Sequence, residues 1–225
     1  MKFFIFILYT VVLFSCSNDT NNYGAKNVVP TGGNQTPLNP VKVTNANPGQ
    51  GKITVLGDSL AAGYGTLDLS AQPLGCLNQI PNDVVFDAAT SGFTSIQILN
   101  RWGLVKNLNS KLIFISSGGN DTMIDNNAPG TYPKQRTLDQ LIQLFDETLQ
   151  SGAVVVYLGL NPPVPYAARL PEVSAIAANK GVIVVDGMNG FWTDPNLMFD
   201  QIHPNTQGYK IICQRIQDAI KGYYP

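Results

Sequence analysis

The chain of 225 residues contains a single histidine, only three cysteines and few charged side chains. Lys, Arg, Asp and Glu make up 13% of the residues, about half of their share in an average soluble domain. With 14 basic and 15 acidic residues, the chain has no charge excess that would bind DNA or RNA. One histidine and no Cys-x-x-Cys pair exclude zinc fingers and multi-histidine metal sites. We therefore expect no metal and no cofactor, and any imidazole chemistry must use His203.

The N-terminus has the pattern of a targeting segment. After Met1-Lys2, an apolar run covers residues 3–14, which is too short to span a membrane because a spanning helix needs roughly 20 residues. The run ends at Cys16 in the sequence Leu-Phe-Ser-Cys, which resembles a bacterial lipobox. We expect residues 1–15 to be a lipoprotein signal peptide and Cys16 to carry the lipid, with an ordinary secretory signal as the alternative. Ser17 then favours the outer membrane over the inner one in a bacterial envelope.

Residues 16–50 are predicted to be the acylated cysteine and a flexible tether. The stretch is rich in asparagine, proline and glycine and has no apolar periodicity. It cannot bury enough surface to offset the entropy of ordering it. As a flexible coil it would reach roughly 30 Å from the anchor.

Residues 51–225 are predicted to form one domain. With 44% hydrophobic residues the chain can bury a core. Five β-branched or aliphatic runs predict strands at residues 53–56, 84–86, 112–115, 153–160 and 182–185. Helical spacing predicts helices at residues 95–105, 137–149, 171–179 and 205–221, the last capped by Gly222. The alternation predicts a single three-layer α/β/α domain with a five-stranded, mainly parallel sheet, whose ligands bind beyond the carboxyl ends of the strands.

The first predicted strand leads into Gly57-Asp58-Ser59-Leu60. A serine that begins a helix just past a strand has its hydroxyl exposed near free backbone N–H groups. That position suits a nucleophile whose oxyanion needs hydrogen-bond donors. The alternative is that Asp58 or Ser59 only caps a helix.

Two further polar segments follow the second and third strands. Gly92 allows close backbone approach and could present its N–H at the same sheet edge. Asn120, in Gly119-Asn120-Asp121, could donate an N–H to an oxyanion. Taken alone, each segment is equally consistent with a simple turn.

Asp200 and His203 lie three residues apart before the last helix. A carboxylate at this spacing can fix the imidazole tautomer and stabilise its cation. A surface histidine before a helix is the alternative for an isolated Asp-x-x-His. Here, however, His203 is the only histidine in the chain.

Together these segments resemble the SGNH, or GDSL, hydrolase superfamily over roughly residues 52–221. Four blocks occur in the family's order: Gly57-Asp58-Ser59-Leu60, Gly92, Gly119-Asn120-Asp121 and Asp200-Gln201-Ile202-His203. The stretches GDSLAAGYG and GGND are most similar to the periplasmic acyl-CoA thioesterase and lysophospholipase branch. The resemblance implies a flavodoxin-like SGNH hydrolase fold.

The resemblance also implies a role for each matching residue. Ser59 would be the nucleophile, His203 the general base and Asp200 the residue that orients the histidine. The oxyanion hole would consist of the Ser59 N–H, the Gly92 N–H and the Asn120 side chain. No G-x-S-x-G occurs in the sequence, which argues against an α/β-hydrolase nucleophile elbow.

The resemblance implies a monomeric esterase, thioesterase or lysophospholipase that takes a small-molecule or lipid ester. The segment 66–83 and the predicted loops 121–136 and 161–171 depart from that branch, so the substrate stays open. One alternative is an O-deacetylase for cell-wall or capsular polysaccharide. Another is a non-catalytic surface lipoprotein that keeps the fold as a binding module.

The remaining notable residues have structural interpretations. Cys213 lies on the apolar stripe of the last helix, which favours a buried thiol, and Cys76 lies in a predicted loop. An envelope location permits a Cys76–Cys213 disulfide, but the sequence leaves their proximity open. Asp58 and Asp121 are interpreted as loop-structuring residues. The two tryptophans, at positions 102 and 192, are interpreted as core or pocket wall.

Overall fold

The computed structural model describes residues 52–80, 83–160, 162 and 170–223, so the predicted signal peptide, Cys16 and the tether lie outside the described residues. The described strands are β1 (Lys52–Gly57), β2 (Val84–Ala89), β3 (Leu112–Ser116), β4 (Val154–Gly159) and β5 (Ile183–Asp186). They form one parallel sheet with the order β2-β1-β3-β4-β5. The prediction of a single α/β domain with a five-stranded sheet is confirmed, and every strand pair is parallel.

Helices cover both faces of the sheet. They are α1 (Pro73–Leu77), α2 (Ser95–Val105), α3 (Gly119–Asn127), α4 (Lys134–Gln150), α5 (Leu170–Asn179) and α6 (Thr206–Ile220). Within the described residues there are also three short 3₁₀ turns, Lys106–Leu108 after α2, and Phe191–Thr193 and Pro195–Leu197 between β5 and α6. Among the described residues, no helix is long and apolar enough to cross a membrane.

Alternation along β3 shows how the two halves of the core form. Leu112 and Phe114 pack into one hydrophobic cluster, whereas Ile113 and Ile115 pack into the other. Successive side chains of a strand point to opposite faces, so a continuous apolar run indicates a strand covered on both sides. The first cluster is closed by α1 and α6, and the second by α2, α4 and α5.

The register aligns the carboxyl ends of β2, β1 and β3, which are neighbours in the sheet. Gly57, the last residue of β1, pairs with Ala89 of β2 and with Ser116 of β3. From β1 the chain goes first to β2 on one side and then crosses to β3 on the other side. Such a reversal opens a crevice between β1 and β3, where α/β sheets bind their ligands.

Three local predictions were wrong. Ser59 does not begin a helix, because residues 59–65 form turns and the next helix starts at Pro73. The segment after Asp121 is not all loop, because α3 continues to Asn127 and α4 begins at Lys134. The last helix ends at Ile220 with Lys221 as its C-cap, so Gly222 is not the capping residue.

The structure contains a disulfide between Cys76 and Cys213, with their Cα atoms 5.6 Å apart. The expectation of a buried Cys213 thiol was therefore wrong, and Cys76 lies in α1 rather than in a loop. The two helices pack side by side on the same face of the sheet. The bond closes a sequence separation of 137 residues between the segment after Ser59 and the helix after His203.

Candidate active site

Ser59 lies two residues beyond β1, in a turn held by backbone hydrogen bonds. The Tyr64 N–H donates to the Ser59 carbonyl at 2.9 Å, and the Ala62 N–H donates to the Asp58 carbonyl at 3.0 Å. The turn leaves Ser59 partly exposed at the carboxyl edge of the sheet. Within the described residues, the Ser59 N–H has no backbone or side-chain acceptor.

His203 lies in a narrow loop that precedes α6. Met198 and Pro204 form an antiparallel bridge across this loop, and the Phe199 N–H donates to the His203 carbonyl at 2.8 Å. Asn205 caps α6, because its side chain accepts from the N–H groups of Gln207 and Gly208. The cap and the bridge together fix the backbone position of His203.

The three side chains predicted to act together form one hydrogen-bonded chain. His203 Nε2 lies 2.9 Å from Ser59 Oγ. On the other side of the ring, His203 Nδ1 lies 2.9 Å from Asp200 Oδ2 and 3.1 Å from Oδ1. When the Nδ1 position holds the proton, Nε2 is free to accept the serine proton.

Asp200 is held as an ionised carboxylate. Partial burial would raise its pKa, but hydrogen bonds from the His203 ring and from the backbone N–H groups of His203 and Ile202 outweigh that effect and lower it. Both backbone bonds are 2.7 Å long. The carboxylate is thus fixed by its own loop before it binds the imidazole.

Asp58 is a second carboxylate, buried directly below the serine turn. It accepts from the Ser116 hydroxyl at 2.7 Å and from the Leu60 N–H at 3.1 Å. Burial raises the pKa of Asp58, although the hydrogen bonds from Ser116 and Leu60 and the interaction with His203 act to lower it. These bonds tie the serine turn to the end of β3, which agrees with the structural interpretation of this residue.

Gly92 and Asn120 lie on neighbouring loops at the same sheet edge. The Asn120 side-chain amide donates to the Phe93 carbonyl at 2.8 Å, which joins the two loops and leaves its second N–H for another acceptor. Gly92 has a φ of +84°, a left-handed conformation that favours glycine. The Thr90 N–H donates to the Gly57 carbonyl at 2.9 Å, which ties the Gly92 loop to the end of β1.

The sequence analysis assigned Asp58 and Asp121 to loop structure but missed their partners, Ser116 and Ser95. Asp121 is fully buried and accepts from the backbone N–H and the hydroxyl of Ser95, at the start of α2. Ser116 supports Asp58 from a position 58 residues further along the chain. No local pattern marks such pairs, because only the sheet register brings them together.

A model of the GDSL-like lipase/acylhydrolase family matches residues 55–211. The chain therefore belongs to this family of ester-cleaving enzymes. The matched region begins within β1 and includes Ser59, Gly92, Asn120, Asp200 and His203. A search of curated protein sequences finds no match.

Solved structures similar to this chain include two esterases. TesA is 26% identical with a TM-score of 0.65, over 76% of this chain and 98% of TesA. The psychrotrophic esterase EstA from Pseudoalteromonas sp. is 23% identical with a TM-score of 0.62, over 76% of this chain and 97% of EstA. Axe2, an acetylxylan esterase from Geobacillus stearothermophilus, is 18% identical with a TM-score of 0.62, over 76% of this chain and 94% of Axe2. The last two likenesses concern the fold alone.

Proposed function

We propose that the protein is a serine ester hydrolase that works through an acyl-enzyme on Ser59. The observation that carries this proposal is the 2.9 Å contact between Ser59 Oγ and His203 Nε2, with Asp200 on the opposite side of the ring. This order of nucleophile, base and orienting carboxylate is what acyl transfer requires.

In the first half-reaction His203 takes the Ser59 proton while Oγ attacks the ester carbonyl carbon. The carbon–oxygen π bond opens and leaves a tetrahedral intermediate with a negatively charged oxygen. The carbon–oxygen double bond then re-forms, and the bond from this carbon to the leaving oxygen or sulfur breaks. His203 gives its proton to that leaving atom. Water repeats these steps on the acyl-enzyme and releases the acid. The ionised Asp200 stabilises the imidazolium that forms in both halves.

The charged oxygen of the intermediate would lie among three donors. These are the backbone N–H groups of Ser59 and Gly92 and the free N–H of Asn120. The hydrogen bond from Asn120 to Phe93 fixes the amide before the reaction begins, so the donor needs no reorganisation when charge develops.

Replacing Asn120 with alanine should lower kcat for a p-nitrophenyl ester by about 10²–10³-fold, the usual loss for one oxyanion donor. The loss should appear in kcat more than in KM, because the bond strengthens only as charge develops. Asn126→Ala, an exposed asparagine of the same helix, is the matched control and should stay near wild type. An unchanged kcat in Asn120→Ala would remove Asn120 from the oxyanion site.

The sequence resemblance to acyl-CoA thioesterases and lysophospholipases supports an acyl ester or thioester as the substrate. The lipobox-like sequence at Cys16 supports attachment to a bacterial envelope membrane through a lipid. The tether of residues 16–50 would then hold the domain close to membrane-derived substrates.

Covalent labelling tests the proposed function directly. A fluorophosphonate probe should label the wild-type protein once, at Ser59 by peptide mass spectrometry, because the phosphorus accepts the activated oxygen as an ester carbonyl does. Ser59→Ala should not be labelled. Ser117→Ala, a buried serine at the end of β3, is the control and should still be labelled. A folded wild-type protein that resists the probe would contradict the proposal.

A further inference from the structure

Large hydrophobic side chains are exposed beside His203. Among the described residues, six large hydrophobic side chains are exposed, namely Tyr64, Leu67, Leu69, Val84, Leu104 and Phe199, and of these Tyr64 and Phe199 have ring contacts at the histidine. Tyr64, Leu67 and Leu69 lie in the segment after Ser59, and Phe199 lies in the histidine loop. A concentration of exposed apolar groups at one place on a soluble domain indicates a binding surface.

Two of these side chains form an aromatic wall against the imidazole. The Tyr64 ring centroid lies 4.6 Å from that of His203 and 6.0 Å from that of Phe199, to which it is nearly perpendicular. Tyr64 is nevertheless 49% exposed and Phe199 is 59% exposed. Each ring therefore keeps a large apolar surface that no described residue covers.

Two hydrogen bonds hold the backbone of Tyr64 next to the serine turn. The Tyr64 N–H donates to the Ser59 carbonyl and its own carbonyl accepts from the buried Tyr209 hydroxyl, both at 2.9 Å. At Gly65, a Cβ atom would lie 2.3 Å from the Pro204 carbonyl oxygen, so only glycine allows the two loops to approach this closely. A site on a fixed backbone is preorganised and costs little entropy to occupy.

The wall and the oxyanion donors approach Ser59 from opposite faces of the sheet. His203 and Phe199 belong to the loop before α6, and the Tyr64 segment contacts that loop and α6, where Thr66 bonds Thr206 at 2.7 Å. Gly92 and Asn120 instead precede α2 and begin α3, on the face that α2 covers. In a tetrahedral intermediate the leaving group lies beside the imidazole that protonates it, and the oxyanion lies at the donors.

We propose that Tyr64 and Phe199 form the subsite for the leaving alcohol, and that this alcohol has a hydrophobic body. This inference rests on the proposed function, because it assigns the leaving-group side of the same reaction. Next to the wall, Asp68 pairs with Lys210 at 3.5 Å, and the ionised Asp200 accepts a hydrogen bond from the His203 ring. The wall thus suits an uncharged apolar group better than a polyanionic one such as a nucleotide thiol.

The test compares two esters of one acid whose alcohols differ in bulk and little in acidity: ethyl butyrate and cyclohexylmethyl butyrate. The readout is the ratio of their kcat/KM values, in which any change in His203 itself cancels. Tyr64→Ala and Phe199→Ala should each reduce the preference for the bulky alcohol by about tenfold, a typical loss for one aromatic contact. Tyr64→Phe should keep the preference, because the ring remains.

Leu104→Ala is the matched control, since Leu104 is 78% exposed on α2, away from the histidine loop, and should leave the ratio unchanged. A parallel series of ethyl esters from acetate to decanoate should show the same acyl preference in all variants. A changed acyl preference with an unchanged alcohol ratio would overturn the inference and assign the wall to the acyl chain. Unchanged ratios in both series would also overturn it. A wild type that hydrolyses neither ester and resists the fluorophosphonate would instead contradict the proposed function.

Discussion

Replacing His203 with alanine is expected to lower kcat for ester hydrolysis by a factor on the order of 10⁶, as in other enzymes with a serine, histidine and aspartate in series. Without the imidazole, the proton on Ser59 Oγ has no acceptor at 2.9 Å, and the leaving oxygen has no donor. The chain contains no second histidine that could replace it. Steady-state hydrolysis of a p-nitrophenyl ester, with each variant checked for folding by circular dichroism, measures the loss.

The double variant Ser59→Ala/His203→Ala tests whether the two residues act in the same step. Each single variant should lose about as much as the double variant, because residues that act in one step are not additive. Asp200→Asn should lose less, on the order of 10⁴-fold, since it keeps the shape but removes the carboxylate that selects the imidazole tautomer. If His203→Ala kept a few per cent of wild-type kcat, the histidine could not be the base. If the losses of the single variants multiplied, the two residues would act in separate steps.

The sheet and part of the site were predictable from local patterns together with a general rule of topology. Parallel strands have their carboxyl ends at one edge, so polar segments that follow β1, β2 and β3 must collect there. The sequence pattern also indicated which strands exist, because β3 and β4 are continuous apolar runs. His203 follows β5, and its contact with Ser59, 144 residues away, was predicted only through the family resemblance.

Other features depend on contacts that no local pattern encodes. Helix α1 has five residues, including a glycine, and is too short to show the helical spacing of apolar residues. Helix α3 is rich in Asn and Asp, which have low helix propensity, and it is stabilised instead by Asp121 binding the start of α2. The bond between Asp58 and Ser116 likewise follows from sheet register and not from sequence spacing.

Loss of the Cys76–Cys213 disulfide is expected to lower the free energy of unfolding by about 2–5 kcal/mol. The bond closes a sequence separation of 137 residues, and a long closed loop restricts the unfolded chain most strongly. The variant Cys76→Ala/Cys213→Ala should show this loss in urea denaturation, with Tm lowered by roughly 10 °C for about 3 kcal/mol in a domain of this size. Dithiothreitol should lower the stability of the wild type by a similar amount and leave the double variant unchanged.

The position of the bond gives this loss a functional consequence. Cys76 lies in the segment that follows Ser59, and Cys213 lies in α6, which follows His203, so the disulfide fastens together the two parts of the chain that bring Oγ and Nε2 to 2.9 Å. Because Thr66 also bonds Thr206 and the Tyr209 hydroxyl also bonds the Tyr64 carbonyl, the site should form without the disulfide below the unfolding transition. We therefore expect kcat of the double alanine variant to stay near wild type at low temperature, and to fall with the folded fraction on heating. If alkylation and peptide mass spectrometry of the oxidised, denatured wild type found free thiols at Cys76 and Cys213, the bond would not form. A kcat that falls before the protein unfolds would show that the bond positions the site directly.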